Sequence, residues 1–255
     1  MGVIVIALAV DPLSLIPAVA IVLIAAIAKG TSAFGFGLVS VPLLLLVWEP
    51  RLLVAIVLPL VLSLDTLIIA QGHSFVSPRR ILPMIAAGVV GAPVGTYVLV
   101  KAPPALLEIA IALVIVGFSL ALLRGYTVTI RHESVAGSMA GFLSGLMATS
   151  SAVSGPPMTL LLLNQRWERD LFRTSISSCL VPINIIGLLS LGMSGVVTGN
   201  TLLVDLILFP FALLGYVVAL RLLHYLHGER FRRMAALLVM AAGVMAIISR
   251  VADLL

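Results

Sequence analysis

Three serines, Ser150, Ser151 and Ser154, stand within five residues of one another, directly ahead of Gly155-Pro156-Pro157. Each hydroxyl donates one hydrogen bond and accepts two, so the trio could hold the oxygens of a small oxyanion without a formal charge. The glycine and prolines add a second source of donors. A helix starting at such a break presents unpaired N–H groups and the positive end of its dipole, and both favour an anion. Proline suits the first turn of that helix, where the N–H it lacks would have no partner. An earlier stretch is built alike, with Gly35-Phe36-Gly37 leading through Ser40 to Pro42, and Pro42 is expected at the same first-turn position as Pro157. Bland alternatives exist for each. The serines could bond to the carbonyl one turn back. The glycines, Gly37 included, could serve close helix packing, as Gly91-x-x-x-Gly95 and Gly141-x-x-x-Gly145 are expected to do.

Charged residues near these breaks suggest how an anion would be drawn in and driven. Lys29 and Arg173 flank the first and second break. Either could attract an anion, or both could be snorkelling helix ends. Asp65 sits inside a long apolar run, where an acid is expensive and functional by default. It is a candidate for the coupling proton, or for a quiet pair with a nearby Lys or Arg. Asn184, two residues after Pro182, either touches substrate or bonds across helices. Glu108 and Asp205 lie nearer the ends of their runs, where an interfacial position is expected.

Other chemistry is poorly supplied. His224 and His227 share a basic loop, but His73 and His132 are far off in sequence, and a metal site needs more ligands than two. No metal and no cofactor is expected. Cys179 is the only cysteine, which excludes an internal disulfide. There is no Gly-x-x-x-x-Gly-Lys-Ser/Thr loop for ATP and no Gly-x-Ser-x-Gly elbow. No catalytic residue is expected.

The elements that must carry these residues are membrane helices. Of 255 residues, 62% are hydrophobic and 10% charged, with a mean hydropathy of +1.27. Soluble domains run at about 45–50% apolar and about 25% charged, so an ordinary cytosolic enzyme, a disulfide-framed secreted module and a disordered chain are excluded. The fold class is an all-α integral membrane protein. No Lys or Arg precedes Lys29, so the first apolar run lacks the charged flank of a secretory signal and reads as a retained span. Clear runs cover 13–28, 52–70, 81–100, 106–123, 135–148, 171–191, 202–222 and 234–248, with two shorter pieces at 38–47 and 156–163.

The order of long and short runs repeats. A shift of 115 residues sets Gly30 on Gly145, Pro42 on Pro157 and Arg51 on Arg166, while a different shift sets Gly91 and Gly95 on Gly215 and Ala219. The expected organisation is two membrane repeats, 1–125 and 126–255, each of about five segments with one short Gly/Pro-broken helix. With ten crossings the basic residues split 12 to 3 between the faces, and 10 to 5 if the short pieces dip in and return. The positive-inside rule favours ten, with both termini outside and the repeats inverted. The net charge of +5 is thereby explained by short cytoplasmic loops, and no nucleic-acid partner is expected. The partners are a small anion and the lipid of the cytoplasmic (inner) membrane, with association of copies of the chain left open.

These residues also resemble a known family. The stretch from Gly30 to Leu46, with its Gly-x-Gly and Val-Pro-Leu-Leu, resembles the first signature of the TauE/SafE sulfite exporters, permeases of the toluene-sulfonate uptake type. Gly141-x-x-x-Gly145, Ser154-Gly155-Pro156-Pro157 and the stretch from Asn164 to Arg173 are similar to the family's second copy. The resemblance covers about residues 20–255. It implies a permease for sulfite, an organosulfonate or a related sulfur-containing anion, coupled to an ion gradient. One departure bears on substrate. The family often carries a Gly-Gly-Gly cluster in both copies, and the second here reads Thr149-Ser150-Ser151-Ala152. A passive anion channel and an intramembrane enzyme, the latter using Asp65, Glu108 and the serines, are the rival readings.

Overall fold

The structure of the chain, a computed structural model, describes residues 10–72, 78–124, 133–164 and 169–222. Among them are nine α-helices and no strand: α1 Pro12–Ser32, α2 Gly35–Leu44, α3 Pro50–Gln71, α4 Pro78–Lys101, α5 Pro104–Arg124, α6 Glu133–Ser151, α7 Gly155–Asn164, α8 Arg169–Met193 and α9 Gly199–Leu222. Four of them open on a proline, which is pre-set for a first turn and has no N–H to leave unpaired. Asp11 caps α1 by accepting from the Leu13 N–H at 3.2 Å.

Helices α1, α3, α4, α8 and α9 contain stretches long and apolar enough to cross a membrane. The expected runs 106–123 and 135–148 lie in α5 and α6, which fall short of that mark among the described residues. The run 234–248 lies outside the described residues, as does the proposed boundary near residue 125. Apolar side chains occupy both surfaces of the bundle. Leu53, Ile56, Leu64, Ile176 and Ile183 are fully buried, whereas Leu82, Leu113, Leu189 and Leu206 point outward and are 59–69% exposed. Helices hydrophobic all round need lipid on the outside.

Glycines set the closest helix contacts. A Cβ placed on Gly141 would strike the Met84 carbonyl oxygen, one on Gly145 that of Gly88, and one on Gly91 that of Phe142. Helices α4 and α6 therefore run side by side in the same direction, backbone against backbone. A Cβ on Gly215 would strike the Leu23 carbonyl oxygen, and one on Gly30 the side chain of Ala219, so α9 packs along α1 in the same way. Gly91 and Gly215 make the same contact, because Phe142 and Leu23 hold matching places in α6 and α1.

Two helical hairpins complete the bundle. Helix α1 ends at Ala33 (φ 71°) and α6 at Ala152 (φ 56°), both in the left-handed region that costs an L-residue roughly 1–2 kcal/mol. That conformation reverses the chain into α2 and α7. Ser32 stabilises the first reversal by accepting from the N–H groups of Phe34 (3.4 Å) and Gly35 (3.0 Å). Beyond α2, the Trp48 indole N–H donates to Ser14 Oγ at 3.1 Å, so the chain returns to where α1 began.

The hairpin tips meet. A Cβ on Gly37 would strike the Ala152 carbonyl oxygen, and one on Gly155 would lie 2.7 Å from Phe34 Cβ. Phe118 of α5 stacks edge-on against Phe34, ring centroids 6.2 Å apart, and covers that junction from the side.

Helix starts correct the expected register. Helices α3 and α8 begin 119 residues apart and α2 and α7 begin 120 apart, not 115. Pro42 consequently falls inside α2, as its eighth residue, while Pro157 is the third residue of α7. The first short helix starts on its glycines, about two turns before its proline. Arg166, matched to Arg51 under the shorter shift, lies outside the described residues.

Candidate functional site

Lys29 is the one charged residue of helix α1, one turn before the tip, and its carbonyl oxygen accepts from the Ala33 N–H at 2.7 Å. Asp65 is the one acidic residue of helix α3. The two meet: Lys29 Nζ lies 2.6 Å from Asp65 Oδ1, with side chains 2% and 0% exposed. Ser177 of α8 donates its hydroxyl to the same oxygen at 2.7 Å. Asp65 Oδ2 is buried with no hydrogen-bond partner among the described residues.

Lys29 stands in the last turn of α1, but its side chain is buried in an ion pair rather than snorkelling to water. A snorkelling lysine needs water for its head group, and here a carboxylate takes that place. With Lys29 withdrawn from the loops, the basic split becomes eleven to three. Of the two readings of Asp65, pairing with a nearby cation is met.

A second polar group adjoins the pair. The Tyr216 hydroxyl of α9 donates to Gln71 Oε1 at 2.9 Å, and the Arg173 guanidinium hydrogen-bonds the same tyrosine. Arg173 precedes Ser177 by one turn of α8. These contacts tie the end of α3 to the start of α8 and the end of α9.

At the tips, two of the singled-out serines are already engaged. Ser40 donates to the Phe36 carbonyl and Ser151 to that of Met147, each at 2.8 Å. Their protons are bonded to the helix backbone, as the alternative reading anticipated. Ser150 and Ser154 are buried and make no side-chain hydrogen bond among the described residues. Pro156 and Pro157 carry no N–H, so Gly155 is the only backbone donor among the first three residues of α7. In α2 the Gly35 N–H is taken by Ser32, which leaves those of Phe36 and Gly37. The junction thus offers donors from both hairpins, unequally.

Asn184 shares the face of α8 that carries Ser177, two turns further on. It is fully buried, and neither its Oδ1 nor its Nδ2 finds a partner among the described residues. Buried amides are nearly always bonded, so this one has unused capacity for a ligand.

The family model of the sulfite exporter TauE/SafE matches residues 18–246. The chain belongs to that family. The match runs through both hairpins, their tips, the Lys29–Asp65 pair and Asn184. A search of curated proteins and of solved structures found no match to this chain. Family and apolar helices together make it a multi-pass membrane protein of a transporter family.

Other singled-out residues of this TauE/SafE protein stand apart from the junction. Glu108 and Asp205, within the first two turns of α5 and α9, are 6% and 7% exposed and so buried against neighbouring helices. Asp205 has no partner for either carboxylate oxygen among the described residues. His73, His132, His224 and His227 lie outside the described residues, and among those described no group of three His, Cys, Asp or Glu could hold a metal ion. Ser177, Gln71 and Tyr216 were not singled out from the sequence. Ser177 had a signal, the Thr174-Ser175-Ile176-Ser177-Ser178 run inside an apolar helix. Gln71 and Tyr216 had none, since their meeting depends on tertiary packing.

Proposed function

We propose that this TauE/SafE protein is a secondary transporter that moves sulfite, an organosulfonate or a related small sulfur-containing anion across the cytoplasmic membrane, with Asp65 carrying a coupling proton. The anion sits where the hairpin tips meet, against Gly37, Ser150, Ser154, Gly155 and Asn184, with Arg173 drawing it in from the cytoplasmic side. The observation that carries this reading is the contact of the two tips beside a buried charge pair. Irregular backbone at membrane depth is tolerated only where protein buries it or where it lines a cavity. In inverted-repeat transporters such broken helices form the substrate site.

The repeats, 1–125 and 126–255, are taken as inverted. Support comes from α3 and α8. The Gly72 end of α3 packs on Thr174 near the start of α8, so matched helices run in opposite directions. The start of α3 lies beside the end of α4, where Arg51 donates to the carbonyls of Leu99 and Val100 at 3.3 and 2.6 Å. The Trp48–Ser14 contact favours counting the first hairpin as out and back, and counting the second alike keeps the basic loops on one face and both termini on the other.

Strength of binding follows from the donors. Each helix start contributes about 0.3–1 kcal/mol, and each hydrogen bond to a charged acceptor about 1.5–3 kcal/mol. Together they suit micromolar to millimolar affinity, from which cargo can leave.

Purified protein in liposomes tests the proposal with a panel of sulfite, thiosulfate, sulfonates and sulfate. Saturable passage of a sulfur-containing anion, chemically unchanged, is expected. Non-saturating flux would make the protein a channel, and conversion of the solute would make it an enzyme.

A further inference from the structure

Resting on that transport reading, we propose that Lys29 changes partners during the cycle, from the Asp65 carboxylate to the transported anion, so that one monoanion and one proton travel together. The two charges are the only ones brought to this place by α1 and α3. Facing them are Arg173 and Ser177 from α8 and Tyr216 from α9. Helices α2 and α7 contain no titratable residue, and α6 has only Glu133, at its far end.

Charge accounting gives the coupling. As the structure stands, the buried ammonium is neutralised by the carboxylate. An anion arriving at the tips, one helical turn from Lys29, would add a negative charge to a dry site, and uncompensated buried charge is strongly disfavoured. A proton taken from the loading-side water onto Asp65 removes that objection. Asp65 Oδ2, which has no partner among the described residues, is the oxygen open to receive it. With the proton on Oδ2, Oδ1 becomes the carbonyl oxygen of the neutral acid and goes on accepting from the Ser177 hydroxyl. The freed ammonium then faces the anion. When the anion leaves on the other side, the proton leaves with it and the Lys29–Asp65 pair re-forms.

The Arg173 charge is present throughout, so the net charge of the site is the same in both states, and that constancy selects the cargo. A monoanion such as hydrogen sulfite or an alkylsulfonate balances Lys29 once Asp65 is protonated. A dianion leaves one negative charge over and is discriminated against. Transport is electroneutral.

Ethanesulfonate is the deciding probe, run alongside sulfite, because its charge does not change between pH 6 and pH 8. In liposomes holding the full chain, apparent affinity for ethanesulfonate should rise on acidification, by up to about tenfold per pH unit, with flux indifferent to a potassium-clamped membrane potential. Asp65→Asn should flatten the pH dependence and make flux respond to the potential, since the anion then crosses without its proton. Lys29→Gln combined with Asp65→Asn removes both charges of the pair and should weaken anion binding by a hundredfold or more. Potential-driven flux with pH-independent affinity in the wild type would overturn the proposal while leaving the transport reading intact. So would wild-type affinity in the doubly neutral variant. The wild-type measurements decide even if a variant fails to insert. If neither anion crosses, both readings fall together.

Discussion

Asp65 and Asn184 are each the sixteenth residue of their helix, α3 and α8, which begin 119 residues apart. Asp65 has Lys29 against it, whereas the residue 119 positions after Lys29 is Ala148, fully buried and apolar. One half of the bundle therefore holds a charge pair where the other holds an unbonded amide. Only the first can change its charge with protonation.

Replacing Asn184 by leucine separates a ligand contact from a structural one. Exchanging an unsatisfied buried polar group for an apolar one of similar shape is nearly neutral for stability. The variant should therefore melt within about 1 kcal/mol of the parent in detergent, while its apparent Km for the transported anion rises about tenfold or more. An unchanged Km would remove Asn184 from the site.

Breaking the ion pair from one side should cost far more than removing it whole. Lys29→Met leaves Asp65 buried without its cation, a loss of about 3–5 kcal/mol for a pair of this kind. Adding Asp65→Leu should restore most of that, because neither charge of the pair is left to desolvate. Thermal unfolding of the single and double variants measures the difference, and equal losses in both would mean the pair is more solvated than its burial implies.

The tip serines should divide by what their protons already do. Ser154→Ala removes a hydroxyl that has no other bond among the described residues and should weaken apparent affinity about tenfold, near 1.4 kcal/mol. Ser40→Ala and Ser151→Ala remove hydroxyls bonded to their own helices and should change affinity by less than about twofold. Gly155→Leu should abolish transport and also loosen the fold, since its first side-chain carbon already crowds Phe34. A steeper loss at Ser40 or Ser151 than at Ser154 would place the anion elsewhere.

Cysteines at Gly2 and Leu255, in a background where buried Cys179 is replaced by alanine, should react with an impermeant thiol reagent added outside intact cells. The eleven-to-three division of basic residues motivates that outcome. Labelling only after lysis would reverse the orientation.

The helices were legible because apolar length and Gly/Pro interruptions are local properties. The recurrence at Gly91 and Gly215 was also legible, and these two glycines do make equivalent contacts. The offset was misread because Pro42 and Pro157 look alike in sequence yet lie at different depths in their helices. Lys29 and Asp65 were each singled out, but nothing local joins them, since their 2.6 Å contact depends on how α1 and α3 cross. Serine hydroxyls were ambiguous for a similar reason. Whether one bonds its own carbonyl or stays available is decided by rotamer and packing, which spacing does not encode.

The gripping of α1 by α9 has a consequence for how the protein is made. The Leu23 carbonyl waits for Gly215, 192 residues later in the chain, and at about 5–20 residues per second that is a delay of about 10–40 s. Through that interval the newly inserted first hairpin has neither the helix that closes over its glycine nor the tip of the second hairpin to rest on. A ribosome stalled after α8 would leave in the bilayer a half-built protein whose Lys29–Asp65 pair has already emerged but whose α1 is bare on one side. Membrane proteases that survey unfinished bundles would find their substrate there.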